Sequence, residues 1–180
     1  PPGLFVIGRF PKGTDAVAEE AAKELRKAGF LVLVTPDVMP YKWDKLIANL
    51  ANSTGAITNA RGKEMDFINH SVREEARNIM RKAGIRWVTD EQMAKDWPES
   101  AAPPRGTIDT EAQSSTWQSL ARGTDSVETE YLNGEIARQA AKLGLKAPLN
   151  AKLVEIMREV AASHATPGKY TPQQLMAMLG

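Results

Sequence analysis

The stretch Tyr41-Lys42-Trp43-Asp44-Lys45-Leu46-Ile47-Ala48-Asn49-Leu50-Ala51-Asn52-Ser53-Thr54 decides the fold, because an α/β pattern ends there and an all-helical one begins. Its spacing predicts a helix over 41–58. At about 100° per residue, Trp43, Leu46, Ile47 and Leu50 fall on one side, and Lys45, Asn49 and Ser53 form a row on the other, with Asn52 beside them. Solvated helix faces usually carry Glu, Lys, Arg or Gln. Asn and Ser are weaker helix formers that compete for backbone hydrogen bonds, so a face built from them costs stability unless those groups bind something. One ammonium with amides a turn apart suits a small, anionic, oxygen-rich ligand. A plain solvated face is the other reading, and spacing alone leaves both open.

Upstream of this stretch, Leu4-Phe5-Val6-Ile7 is a short apolar run closed by Gly8, and it reads as a buried strand. Thr14 or Asp15 then caps a helix running to Ala28, with Val17, Ala21, Leu25 and Ala28 as its apolar row. Gly29 stops that helix, and Phe30-Leu31-Val32-Leu33-Val34 follows as a second buried strand. Strand, helix and strand make one βαβ unit with parallel strands. Two strands do not stand alone in water, so this segment reads as the last rung of a larger sheet. The opening Pro1-Pro2-Gly3 lacks an initiating methionine, and the chain reads as one cut at its start.

Downstream, the pattern predicts helices at 63–83, 89–96, 113–123, 128–143, 149–163 and 171–179, with 98–106 as the one clear irregular loop. Thr171-Pro172-Gln173-Gln174 places a capping Thr, a Pro at the first helical position and a Gln three residues on. The expected organisation is a βαβ remnant over 1–38 and a helical substrate-binding domain over 39–180.

Composition narrows the function. Of 180 residues, 42% are apolar and 25% charged, ordinary for a globular chain. There is no cysteine, which excludes disulfides and thiolate metal sites, and His70 and His164 match no metal-ligand spacing. Twenty-three basic against 22 acidic residues leave no field for nucleic acid. No apolar run is long enough to span a membrane, and the expected location is cytoplasmic. Trp87, Trp97 and Trp117 read as core or contact residues and Met157, Met176 and Met178 as helix packing, while neither histidine is expected to be catalytic.

Three motifs now stand in register. Trp43-Asp44-Lys45-Leu46-Ile47-Ala48-Asn49 resembles the W-x-K-L-x-x-N signature that opens the C-terminal domain of ketopantoate reductases. Ser114-Ser115-Thr116-Trp117-Gln118, followed by Glu128-Thr129-Glu130-Tyr131-Leu132-Asn133-Gly134, is similar to the family's S-S-x-x-Q-D and T-E-x-D-x-x-N-G segments. Gly144 to Asn150 is similar to the G-x-x-x-P-x-N that comes next. The resemblance runs from Leu4 to Val160.

This resemblance implies a mostly α fold. A helical C-terminal domain of the 6-phosphogluconate-dehydrogenase-like type would be preceded by the βαβ remnant of a Rossmann sheet. It implies an NADPH-dependent oxidoreductase acting on a 2-oxo acid, with Lys45 as general acid and stabiliser of the carbonyl oxygen. Glu128 would lie near Lys45 and hold substrate hydroxyls, while Asn49, Ser53 and Ser115 would bind the substrate's other oxygens. A homodimer through the helical domain is expected. The chain contains no G-x-G-x-x-G, and Gly8-Arg9-Phe10-Pro11-Lys12-Gly13-Thr14 lacks the lysine of a P-loop, so the cofactor fingerprint lies outside it and the chain alone is expected to be inactive. Three departures from the family pattern are Ser53 where a second asparagine is frequent, Ser119 where an acidic residue is usual, and one extra residue around Gly123-Thr124-Asp125. The alternative reading is a non-catalytic helical dimerisation module derived from such an enzyme. Asn133-Gly134 falls inside the predicted helix, where close helix packing is the expected reason for the glycine.

Overall fold

The computed structural model describes residues 4–98, 113–124 and 128–180. They fall into two compact units, and the boundary lies inside one helix, between Lys45 and Leu46. The first unit holds the described residues up to Lys45 and those from Arg86 to Pro98; the second holds Leu46–Ile85 and the described residues from Gln113 on.

In the first unit, β1 (Leu4–Ile7) and β2 (Leu31–Val34) pair in parallel, with Leu4 opposite Leu31 and Ile7 opposite Val34. They are joined by α1 (Ala16–Lys27), whose N-cap is Asp15: its carboxylate accepts from the Ala18 backbone N–H at 2.9 Å. The βαβ reading therefore holds, but the buried faces differ from expectation. Ala18 and Ala22 are the buried residues of α1, while Val17 is 75% exposed. Small alanines let the helix lie close to the sheet, and two alanine-bearing rows run side by side on this helix. The strands are not fully buried either: Val32 is inside, but Phe5 and Leu31 are exposed. Gly8 follows β1 where the backbone of Thr35 comes so close that an added Cβ would sit 2.4 Å from its carbonyl oxygen.

α2 (Met39–Asn49) carries the chain into the second unit, and α5 (Asp90–Asp96) returns to the first, capped by Thr89. The single helix expected over 41–58 is two helices: α2 ends at Asn49 and α3 spans Ala51–Thr58. Leu50, fully buried, keeps right-handed dihedrals but bonds to Ile47 three residues back, a tightened turn. Weak helix formers follow it and bond back to the backbone: the Ser53 hydroxyl donates to the Leu50 carbonyl at 3.0 Å, Thr54 to Ala51 at 2.9 Å and Thr58 to Thr54 at 2.9 Å.

α4 (Lys63–Lys82) is the longest element, and it buries Met65, Ile68, Val72, Ala76, Ile79 and Met80 at helical spacing. It packs with α7 (Asn133–Lys142), α8 (Pro148–Ala162) and α9 (Pro172–Leu179). Their shared core contains Ile136, Leu153, Ile156, Met157, Val160 and Leu175, all at most 2% exposed. α9 carries the expected capping box between Thr171 and Gln174. Met157 is core as expected, whereas Met176 is exposed. α6 (Ser115–Ala121) packs on α3. The helix expected over 128–143 begins instead as a 3-10 turn, Glu128–Glu130, and becomes α-helical only at Asn133. The loop expected at 98–106 lies almost wholly outside the described residues, as does Asp125.

Candidate functional site

Lys45 is exposed on α2, the last residue of the first unit. Asn49, one helical turn on and half-buried, belongs to the second unit with Ser53, Ser115 and Glu128. The row drawn from Lys45 through Asn49 does not continue to Ser53, because the turn at Leu50 intervenes. Ser53 is 1% exposed, and its hydroxyl faces the Leu50 carbonyl and, at 3.1 Å, Asn133 Oδ1. Its position is interior, and its hydrogen-bonding capacity is used there.

Ser115 and Glu128 are brought into direct contact. The Ser115 hydroxyl donates to Glu128 Oε2 at 2.9 Å, and both residues are exposed. Ser115 opens α6, held by the Ser114 side chain, which accepts from the Trp117 backbone N–H at 3.2 Å. Glu128 sits on the 3-10 turn, and that turn is anchored through Glu130. Arg158 of α8 grips the Glu130 carboxylate with two nitrogens, and Arg138 of α7 donates to its backbone carbonyl at 3.1 Å. The Glu130 pair is a bidentate fork, which fixes orientation better than a single contact. Glu128 itself remains at the surface beside a hydroxyl.

A cleft of about 300 Å³ opens between α3 and the start of α6. Asn52, Gly55, Asn59, Arg61, Gln113 and Ser114 supply its polar wall and its floor. Asn59 is the C-cap of α3 in the left-handed region (φ 46°), unusual outside glycine. Trp117 Nε1 donates to Asn59 Oδ1 at 3.0 Å, and a Cβ on Gly168 would lie only 3.1 Å from the Asn59 Cβ. Sequence reasoning missed Asn59 and Arg61. The available signal was a short polar run, Asn59-Ala60-Arg61-Gly62, directly after a helix rich in Asn, Ser and Thr.

Two asparagines of the resemblance motifs turn out to be internal. Asn133 and Asn150 are both fully buried. Asn150 Nδ2 donates to the Val72 carbonyl at 3.1 Å and to Glu75 Oε1 at 2.9 Å. Glu75, on α4, also accepts the backbone N–H groups of Leu149 and Asn150 at 3.0 and 2.9 Å. α8 lacks a side-chain cap of its own, and this carboxylate supplies it from another helix. Gly134 does not mark close packing: an added Cβ would meet its nearest neighbours at 3.5–3.6 Å, an ordinary contact distance. His70 and His164 are exposed, and no group of three or more His, Cys, Asp or Glu among the described residues could hold a metal ion. No helix among the described residues is long and apolar enough to cross a membrane.

The fold and the sequence have counterparts in known proteins. The chain is 27% identical to a PanE/ApbA family ketopantoate reductase from Ralstonia eutropha JMP134, with a TM-score of 0.68 over 91% of this chain and 53% of that one. D-mandelate dehydrogenase, solved with NADH and anilino(oxo)acetate, superposes with a TM-score of 0.70 at 21% identity, covering 91% of this chain and 68% of that one, a likeness of fold. The 2-dehydropantoate 2-reductase of Pyrococcus horikoshii is 29% identical over 168 residues, 87% of this chain and 52% of that protein. The family model of the ketopantoate reductase PanE/ApbA C terminal matches residues 37–161. The chain belongs to this family. It spans about half the length of the curated relatives it matches.

Proposed function

We propose that this chain is the substrate-binding part of a nicotinamide-dependent reductase of small 2-oxo acids. The observation that carries the reading is the Ser115–Glu128 hydrogen bond, an exposed hydroxyl and carboxylate joined at 2.9 Å in a member of the ketopantoate reductase family. Reduction of a 2-oxo acid needs a hydride donor, a proton for the developing alkoxide and a hold on the carboxylate. Lys45 is the proposed proton donor, and its compact positive charge also favours the oxyanion as it forms. Glu128 accepts from substrate hydroxyls and Ser115 donates to a substrate oxygen, each keeping the other oriented in the free protein. The Asn49 amide adds a donor and an acceptor one turn beyond Lys45. Ser53 is left out of the set, because its hydroxyl is internal.

The hydride belongs to a reduced nicotinamide, proposed as NADPH. The turn after β1 does not fit its phosphates. There the Arg9 N–H donates to Gly13 at 2.8 Å and the Gly13 N–H to Pro36 at 2.7 Å, so these backbone donors are already committed. The proposed assembly is a homodimer through the helical unit.

Oxidation of NADPH by the protein expressed from its complete gene, against a panel of 2-oxo acids that includes ketopantoate, tests the reading. Turnover of at least one member is expected. A folded, cofactor-binding protein that turns over none of them contradicts it.

A further inference from the structure

The cleft between α3 and α6 has a chemistry that the Ser115–Glu128 pair does not account for. Beside Ala51, Ala60 and Gly55 it is lined by three amide residues, Asn52, Asn59 and Gln113, by Ser114 and by Arg61, with no carboxylate among the described lining residues. Arg61 is exposed and forms no ion pair among the described residues. A guanidinium with nothing to neutralise it, set in a concave polar wall, is a ready partner for an oxyanion.

Asn59 makes the cleft more than a surface dent. Its left-handed backbone is a helix C-cap conformation that asparagine adopts more readily than other residues with a Cβ. Three contacts hold it here. Trp117 holds the side chain, Gly168 leaves room for its Cβ, and the Gly168 and Tyr170 N–H groups bond to Ala56 and Ile57 at 3.1 and 3.2 Å, buttressing the end of α3. Indole N–H is only a donor, so it must face the amide oxygen of Asn59. The Asn59 NH₂ group is thereby left as a donor, on a residue that lines the cleft. Gly55 lies on the same lining, and a Cβ added there would meet nothing within 4 Å, so the floor is open.

We infer that this cleft binds an oxyanion carried at the far end of the substrate, with Arg61 pairing to it and the Asn59 amide donating beside it. The inference rests on the reading of the chain as a 2-oxo-acid reductase, and it narrows the substrate class to 2-oxo acids bearing a second anionic group. Ser114 lines the cleft and Ser115, its neighbour in the chain, touches Glu128, so the cleft adjoins the proposed substrate pair. A cleft of about 300 Å³ is at the small end of ligand sites, the right scale for an acid of this size.

The test compares 2-oxoglutarate with 2-oxopentanoate, which share a carbon skeleton and differ only in the distal carboxylate. Binding to the whole chain is followed by NMR, reading the Trp117 indole N–H and the Asn59 side-chain NH₂. The dicarboxylate is expected to bind at least about tenfold tighter and to move both signals. Arg61→Leu should abolish that preference, while Arg61→Lys, which keeps the charge, should retain part of it. Equal affinities, a preference that survives in Arg61→Leu, or no shift at either reporter would overturn the inference. This readout needs no turnover. Reduction of monocarboxylates alone would sink the cleft and leave the reductase reading standing. Preferential dicarboxylate binding by a protein that reduces no 2-oxo acid would sink the reductase reading and leave the anion site.

Discussion

Asn133 Nδ2 donates to Asn150 Oδ1 at 3.0 Å in the interior, joining the first residue of α7 to the first turn of α8. The same NH₂ group reaches the Leu50 carbonyl at 3.4 Å, and Ser53 sits against Asn133 Oδ1. One amide therefore ties the turn between α2 and α3 to two later helices. Asn49 immediately precedes that turn, so the network fixes where the chain presents it.

Removing that amide should be costly. Asn133→Ala strands the Asn150 oxygen and removes a partner from Leu50 and Ser53, each buried, and an unsatisfied buried polar group costs about 1–3 kcal/mol. Equilibrium urea unfolding should show a loss of about 2–4 kcal/mol. Asn49→Ala, at a half-buried position outside the network, should lose less than about 1 kcal/mol. Equal losses for the two would remove the distinction between internal and presented asparagines.

Gly134→Ala should be tolerated. Its nearest contacts would be at van der Waals distance, and alanine restricts the unfolded chain more than glycine does. Stability should stay level or rise by up to about 1 kcal/mol, and a loss larger than that would restore the packing explanation.

Tyr41 provides a pH signature for the first unit. Partial burial, together with its hydrogen bond of 2.9 Å to Asp96, pushes the Tyr41 phenol from 10.0 up to about 12. A proton held more tightly in the folded state contributes stability that is fully present below pH 10 and is lost as pH rises toward 12. Absorbance titration at alkaline pH should show one tyrosine ionising late. In Asp96→Asn that transition should move toward the ordinary range. A late tyrosine unchanged by this substitution would assign the shift to burial alone.

Much of this fold can be read from local sequence, and what cannot be read has a common cause. The 20 residues of α4 declare themselves by periodicity, and α9 by its capping box, because both signals lie within a few residues. The turn at Leu50 depends partly on Asn133, 83 positions away, and the cap of α8 on Glu75, 74 positions from Leu149. No local pattern contains such partners. On α1, the choice between the Val17 row and the Ala18 row is made by the sheet beneath it. In the candidate site, the family resemblance singled out Ser115 and Glu128, which do meet, and Ser53, which is interior. Asn59 and Arg61 went unread because their cleft exists only once α6 is laid against α3.

The proposed division of labour separates binding from chemistry. Glu128→Ala, in the protein expressed from its complete gene, should raise KM for the 2-oxo acid well above its effect on kcat, since it removes a hydroxyl acceptor and leaves the proton donor in place. An unchanged KM would take Glu128 out of the substrate site.

The most direct measurement is the kcat of Lys45→Ala in that protein, with saturating NADPH and the best 2-oxo acid of the panel, and with the fold checked by circular dichroism. Loss of the proton donor should lower kcat by at least about a hundredfold. A folded Lys45→Ala protein that turns over within a few-fold of the parent would contradict the account.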